Sequence, residues 1–166
     1  LLRLAKNQPE ALLKVKMTEI DLVQALKSAR GDLVNYAESH DVEINSSIPN
    51  KTIKMKGDAL RIYDLIFNLI ENAIKYSTPN STIYLSLIEE GNKVRLEVKD
   101  EGIGISKEDL PHIFERFYRG KNSDEFGTGV GLSIVKEIAD FHHAKLHVTS
   151  DGLGLGATFS VTFSKV

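Results

Sequence analysis

The stretch Asp58-Ala59-Leu60-Arg61-Ile62-Tyr63-Asp64-Leu65-Ile66-Phe67-Asn68-Leu69-Ile70-Glu71-Asn72-Ala73-Ile74-Lys75-Tyr76 decides how the rest of the chain is read. Its apolar set, Leu60, Ile62, Leu65, Ile66, Leu69, Ile70 and Ala73, recurs at helical spacing, so one side of a helix should meet a core. Asp58 is the expected N-cap, and Ser77-Thr78-Pro79-Asn80 should end the helix. Asn68, Asn72 and Lys75 stand at i, i+4 and i+7 and form a separate polar stripe. Asparagine is a weak helix former, and Lys or Glu would serve a merely solvated face better. Glu71 falls about 100° away from Asn72 around the helix.

On either side of this helix the pattern changes period. Thr82–Ile88 and Lys93–Lys99 are rich in strand formers and flank Glu89-Glu90-Gly91-Asn92, which predicts a hairpin. Leu146–Thr149 and Ala157–Phe163 predict a second hairpin across the glycine-rich 151–156 segment. Upstream, Val42–Ile48 and the short Ile53–Met55 read as strands. From Glu19 to Ala37 the apolar residues Ile20, Leu22, Val23, Leu26, Ala29, Leu33, Val34 and Ala37 predict one helix, with Asp21 in its first turn. Another helix carries Leu132, Ile134, Val135, Ile138, Ala139 and Phe141. Helices alternating with antiparallel hairpins predict a two-layer α/β sandwich, a mixed and mostly antiparallel sheet with helices packed on one face.

Composition bounds what such a domain can do. The 166 residues suffice for one domain with a hydrophobic core, at 42% apolar and 27% charged residues. A net charge of −2 gives no basic excess for nucleic acid or an anionic membrane surface. Cysteine is absent, which excludes disulfides and thiolate metal sites and suits a cytoplasmic location. No apolar run is long enough to span a bilayer. The chain opens on Leu1-Leu2 without an initiator methionine, so further sequence is expected upstream, with room there for a membrane segment of the parent protein. Within residues 1–16, helix-spaced apolar residues interrupted by Pro9 predict a helix end and a linker.

Two further motifs join the asparagine stripe. Asp100 ends a strand and leads into Gly102 and Gly104, so its carboxylate can accept a hydrogen bond from an exocyclic amine while the glycines let the backbone approach a flat base. Gly127-Thr128-Gly129-Val130-Gly131 opens a helix whose amides can cradle phosphate. It lacks the Gly-Lys-Ser/Thr of a Walker loop and the preceding strand of a Rossmann turn. The polar, glycine-flanked segment 119–128 fits a lid over a bound nucleotide. Amide oxygens from Asn68 and Asn72 can ligate a hard cation such as magnesium, which shares phosphate oxygens. The histidines form no metal pair at helical spacing. His142, His143 and His147 are read as surface or core residues, and His40-Asp41 as a coincidental dipeptide.

In this order, the motifs resemble those of the catalytic, ATP-binding domain of bacterial sensor histidine kinases, a Bergerat-type fold shared with gyrase and mismatch-repair ATPases. The resemblance covers residues 20–164. Asn68-Leu-Ile-Glu-Asn72-Ala-Ile-Lys75-Tyr76 looks like the asparagine box, and Asp100-x-Gly102-x-Gly104 like the first glycine box. Phe114-Glu-Arg-Phe-Tyr-Arg119 looks like the phenylalanine box, Gly127-Thr-Gly129-Val-Gly131-Leu132 like the second glycine box, and Gly156-Ala-Thr158-Phe like the last glycine-threonine motif. The resemblance implies that Asn72 ligates magnesium with Asn68 beside it. It further implies that Asp100 bonds the adenine amine with support from Thr158, and that Tyr76 stacks near the base. Lys75 and Arg119 would face the phosphates, and Gly102, Gly104, Ile105, Gly127, Thr128, Gly129, Gly131 and Leu132 would line the nucleotide site. Residues 1–18 would be the tail of a helical dimerisation domain, and 19–166 the catalytic domain. The phosphoacceptor histidine box is missing, so the implied partners are the parent's own dimerisation and phosphoacceptor domain, in a homodimer, and a response regulator. Two relatives of the fold are alternatives. A gyrase-like ATPase would carry a glutamate base where Asn68 stands, and an amide cannot take a proton from water. An anti-sigma-type serine kinase would not begin with a dimerisation-helix tail.

Overall fold

The computed structural model describes residues 16–120 and 129–166. The expected helix end and linker at the N-terminus lie, for residues 1–15, outside the described residues, as does most of the expected lid, 121–128. The elements run β1 (Thr18–Asp21), α1 (Leu22–Asp32), α2 (Val34–Ser39), β2 (Val42–Ser47), β3 (Lys54–Gly57), α3 (Ala59–Tyr76), β4 (Ser81–Glu90), β5 (Lys93–Asp100), α4 (Gly131–Phe141), β6 (Lys145–Thr149) and β7 (Ala157–Ser164).

Five strands form the main sheet in the order β2-β4-β5-β7-β6. Only β2 and β4 are parallel; the β4–β5, β5–β7 and β6–β7 pairs are antiparallel. The sheet is therefore mixed and mostly antiparallel, with its helices on one face. Alternation along the strands does this sorting. Leu85, Leu87, Val94, Leu96, Val98, Phe159, Val161 and Phe163 are buried toward the helices, while Lys99, Glu97 and Ser160 belong to the other face.

The central helix follows its expected bounds. Asp58 caps α3 by accepting from the Arg61 N–H at 2.9 Å, and Ser77 ends it. Ile62, Leu65, Ile66, Leu69, Ile70, Ala73 and Ile74 are buried. Leu60, expected on that stripe, is 70% exposed. It stands two residues before Ile62, about 200° away around the helix, so the face that buries Ile62 turns Leu60 to solvent.

The N-terminal reading needs correction. Thr18–Asp21 is a strand paired antiparallel with β3, not the start of a helix. Asp21 lies just outside α1 as its N-cap, accepting from the Val23 N–H at 3.0 Å and the Ile53 N–H at 3.2 Å. One helix to Ala37 is also two: α1 stops at Asp32 after Gly31, a poor helix former, and α2 restarts beyond Leu33. Hydrophobic spacing alone could not distinguish these, because Leu22, Leu26, Ala29, Leu33 and Ala37 keep helical spacing across the break and are all buried. Thr18, assigned to the tail, already pairs with Gly57.

Candidate nucleotide site

A cavity of about 350 Å³ opens between α3, the 102–120 loops and the start of α4. Such a volume suits a small-molecule ligand. The polar stripe of α3 forms one wall, with Asn68, Asn72, Lys75 and Tyr76 all lining it. The Asn68 side-chain amide donates to the Asp64 carbonyl one turn back, at 2.7 Å. That bond turns its Oδ1 toward Gly131, where a Cβ would lie 3.2 Å from it. Two amide side chains one turn apart, one with its oxygen so presented, fit a magnesium ion that keeps most of its waters. Among the described residues no cluster of three His, Asp or Glu could hold a metal alone, so any ion here would depend on ligand oxygens. Lys75 places its ammonium 5.2 Å from the Tyr76 ring centre. Glu71, expected to point away, lines the same cavity. A cavity that wraps the helix receives side chains 100° apart, which a single-stripe reading does not anticipate.

Asp100 forms the deep end. It is 5% exposed, and its Oδ1 accepts from the N–H groups of Gly102 at 2.9 Å and Ala157 at 3.2 Å. Both bonds fall on one oxygen, leaving Oδ2 to meet a ligand's hydrogen. Burial raises the carboxyl above the ordinary aspartate range, against the pull of those two N–H groups. The glycines after it are required by close approach. A Cβ at Gly102 would stand 2.0 Å from the Tyr76 carbonyl oxygen. Gly104 has φ of +67°, and its Cβ would meet the Gly152 carbonyl oxygen at 2.0 Å. The loop is clasped by the Gly154 N–H to Ile103 carbonyl bond at 2.7 Å and the Ile105 N–H to Ser150 hydroxyl bond at 3.0 Å.

Gly104, Ile105, Arg119, Gly129, Gly131 and Leu132 line the cavity as well. α4 opens at Val130 without a side-chain cap, so the first amides of the helix are left for a ligand. Gly127 and Thr128 lie outside the described residues. Gly102 supports the wall from behind rather than lining it. Thr158 does not reach the cavity: Ala157 and Phe159 line it, and strand alternation turns the residue between them to the opposite face. The main-chain N–H of Ala157, not the threonine hydroxyl, is what steadies Asp100. Sequence reasoning missed Ile103, Asp109, Ile113, Tyr118 and Leu153. Leu153 had a signal, since the glycine-rich loop that bears it must fold onto some neighbour.

The histidines stay outside this cavity. His142 is structural: its Nε2 accepts the Asp58 N–H at 3.0 Å, and its Nδ1 donates to the Ile138 carbonyl at 2.8 Å. No helix among the described residues is long and apolar enough to cross a membrane.

Residues 57–166 match the family described as histidine kinase-, DNA gyrase B- and HSP90-like ATPase. The sensor histidine kinase YkoH of Bacillus subtilis is 39% identical across 99% of this chain and 35% of its own length. The heme sensor protein HssS of Staphylococcus saprophyticus is 36% identical across 89% of this chain and 31% of its own length. The chain thus spans about a third of the length of these curated relatives. Among solved structures, the catalytic domain of histidine kinase ThkA superposes with a TM-score of 0.79 at 26% identity, covering 90% of this chain and 96% of that one. The mycobacterial sensor histidine kinase MprB gives 0.80 at 21% identity, covering 90% and 98%.

Proposed function

Since this chain belongs to the histidine kinase-, DNA gyrase B- and HSP90-like ATPase family and is the ATPase catalytic domain of a sensor histidine kinase, we propose that it transfers the γ-phosphoryl group of magnesium-bound ATP to a histidine on a separate helical dimerisation domain. The residues before β1 would be the tail of that domain, the parent a homodimer, and a response regulator the final acceptor. The observation that carries the reading is the amide at Asn68. It stands one turn before Asn72, where a hydrolase of this fold would need a carboxylate base, and its nitrogen is committed to the Asp64 carbonyl.

Phosphoryl transfer asks a protein for charge neutralisation and in-line positioning more than for covalent chemistry. Asp100 would accept the adenine amine through Oδ2, with Tyr76 and Ile105 against the base. Asn72, with Asn68 beside it, would hold magnesium, which supplies charge neutralisation at the phosphate oxygens when bound. Lys75, Arg119 and the uncapped N-terminus of α4 would take the remaining phosphate charge. Gly127 and Thr128 would extend that cradle, and segment 119–128 would cover it. The acceptor imidazole would come from the other domain.

The test supplies the chain with γ-labelled ATP, magnesium and a helical domain bearing a histidine. Label should move to that domain as an acid-labile phosphoramidate, and Asp100→Ala should suppress the transfer. A second reading rests on Glu71, whose place in the cavity wall offers a carboxylate for activating water. Under it, the chain alone would release inorganic phosphate at a rate abolished by Glu71→Gln, with no label on the added domain.

A further inference from the structure

Asp109 has no part in the chemistry above, yet it is one of only three buried polar residues among those described, at 7% exposure, and it lines the nucleotide cavity. It sits in the turn after the first glycine box, its N–H bonded to the Ser106 hydroxyl at 3.1 Å. The Tyr118 hydroxyl donates to its Oδ1 at 2.6 Å. That bond holds the phenol proton, raising Tyr118 above the ordinary tyrosine range. Gly120 passes so close to the other oxygen that a Cβ there would lie 3.0 Å from Oδ2.

Tyr118 faces inward because of its neighbour. Phe117 takes a left-handed backbone with φ of +64°, which turns its own ring to solvent at 75% exposure. A bulky residue adopts that conformation only where surrounding contacts impose it. Here the Phe117 N–H donates to the Gly129 carbonyl at 2.9 Å. Gly129 in turn leads into Gly131, which abuts the Asn68 oxygen. A continuous path therefore runs from the Asp109 carboxylate through Tyr118, Phe117 and Gly129 to the end of the cavity where Asn68 stands. Asp100 lies outside this path.

We propose that Asp109 is a positioning residue for the phosphate end of the site, its carboxylate holding Tyr118 and the 117–120 segment so that Arg119 and the Gly129–Gly131 turn are set against the phosphates. The proposal rests on the nucleotide reading above. It predicts that loss of the carboxylate–phenol bond spares the adenine end and weakens only what binds through phosphate.

Titrations of the full chain with magnesium ATP and, separately, with adenosine test it, followed by NMR and paired with thermal melts. Tyr118→Phe removes one hydroxyl, and Asp109→Ala removes its acceptor. Both should weaken ATP about tenfold, as expected for one charge-assisted hydrogen bond, and leave adenosine within about twofold. The double variant should be no weaker than the worse single one, since both remove the same bond. ATP affinity unchanged in Tyr118→Phe and in Asp109→Ala overturns the proposal while the nucleotide reading stands. So does a parallel fall in ATP affinity, adenosine affinity and melting temperature, which would make the pair merely structural. An unsubstituted chain that binds neither ligand overturns the nucleotide reading, and the proposal with it.

Discussion

On the proposed nucleotide reading, Asp100 ties stability and ligand affinity to pH with opposite signs. Burial raises its carboxyl above the ordinary aspartate range. Between the ordinary and the raised value, the folded chain keeps a proton that the unfolded chain has lost. The Asp100 contribution to stability therefore falls as pH rises through that window and is level above it. The adenine contact proposed for Oδ2 needs the ionised acceptor, so ATP affinity should rise across the same window. Melts and ATP titrations of the chain and of Asp100→Asn should show both trends in the difference between the two proteins. ATP affinity that is flat from the ordinary aspartate range to neutrality would refute the assignment. The place of Asp100 at a strand end beside the cavity was legible in the sequence because a strand-ending Asp before spaced glycines is a local pattern. Asp109 and Tyr118 were not, because their bond closes only when the 106–120 segment folds back on itself. Thr158 failed for a similar reason: its motif was visible, but strand register decides which face it serves.

At the level of elements, α3 was readable almost to the residue because its stripe, cap and terminator agree. The α1 region was not, since β1 is only four residues long and its pairing partner, β3, lies more than thirty positions downstream. What sequence could not reveal about α3 is how its start is anchored. The Asp58 side chain caps the helix, while its N–H is taken by His142 at the end of α4. The two helices, which both border the cavity, are thus tied at this end as well, reinforced by the Arg61 guanidinium 5.0 Å from the Phe141 ring centre. Asp58→Ala should cost about 1 kcal/mol through the lost cap. His142→Ala should cost about 1–3 kcal/mol, because a part-buried N–H loses its acceptor. Urea unfolding checks both, and a His142→Ala midpoint equal to that of the unsubstituted chain would show that the tie contributes nothing.

For the molecule as a whole, the arrangement of its histidines bears on the proposed separation of phosphoryl donor from acceptor. The chain has five, His40, His112, His142, His143 and His147, and none lines the cavity. His142 has both ring nitrogens engaged. His112 is bonded to Glu115 at 2.7 Å, and His40 to the Tyr36 carbonyl at 2.8 Å. His147 projects from the sheet face that the helices do not cover, since its register partner is Ser160. In-line attack requires the imidazole within about 3–3.5 Å of the phosphorus before reaction. A rigid sheet with the site on one side offers His147 no such approach in its own molecule. Given γ-labelled ATP and magnesium, the 166-residue chain should remain unlabelled over the time in which an added histidine-bearing helical domain becomes labelled. Raising the chain's concentration tests whether one copy serves as acceptor for another. Acid-labile label on the chain that grows with the square of its concentration, and that disappears in His147→Ala or His143→Ala, would refute the separation of donor and acceptor.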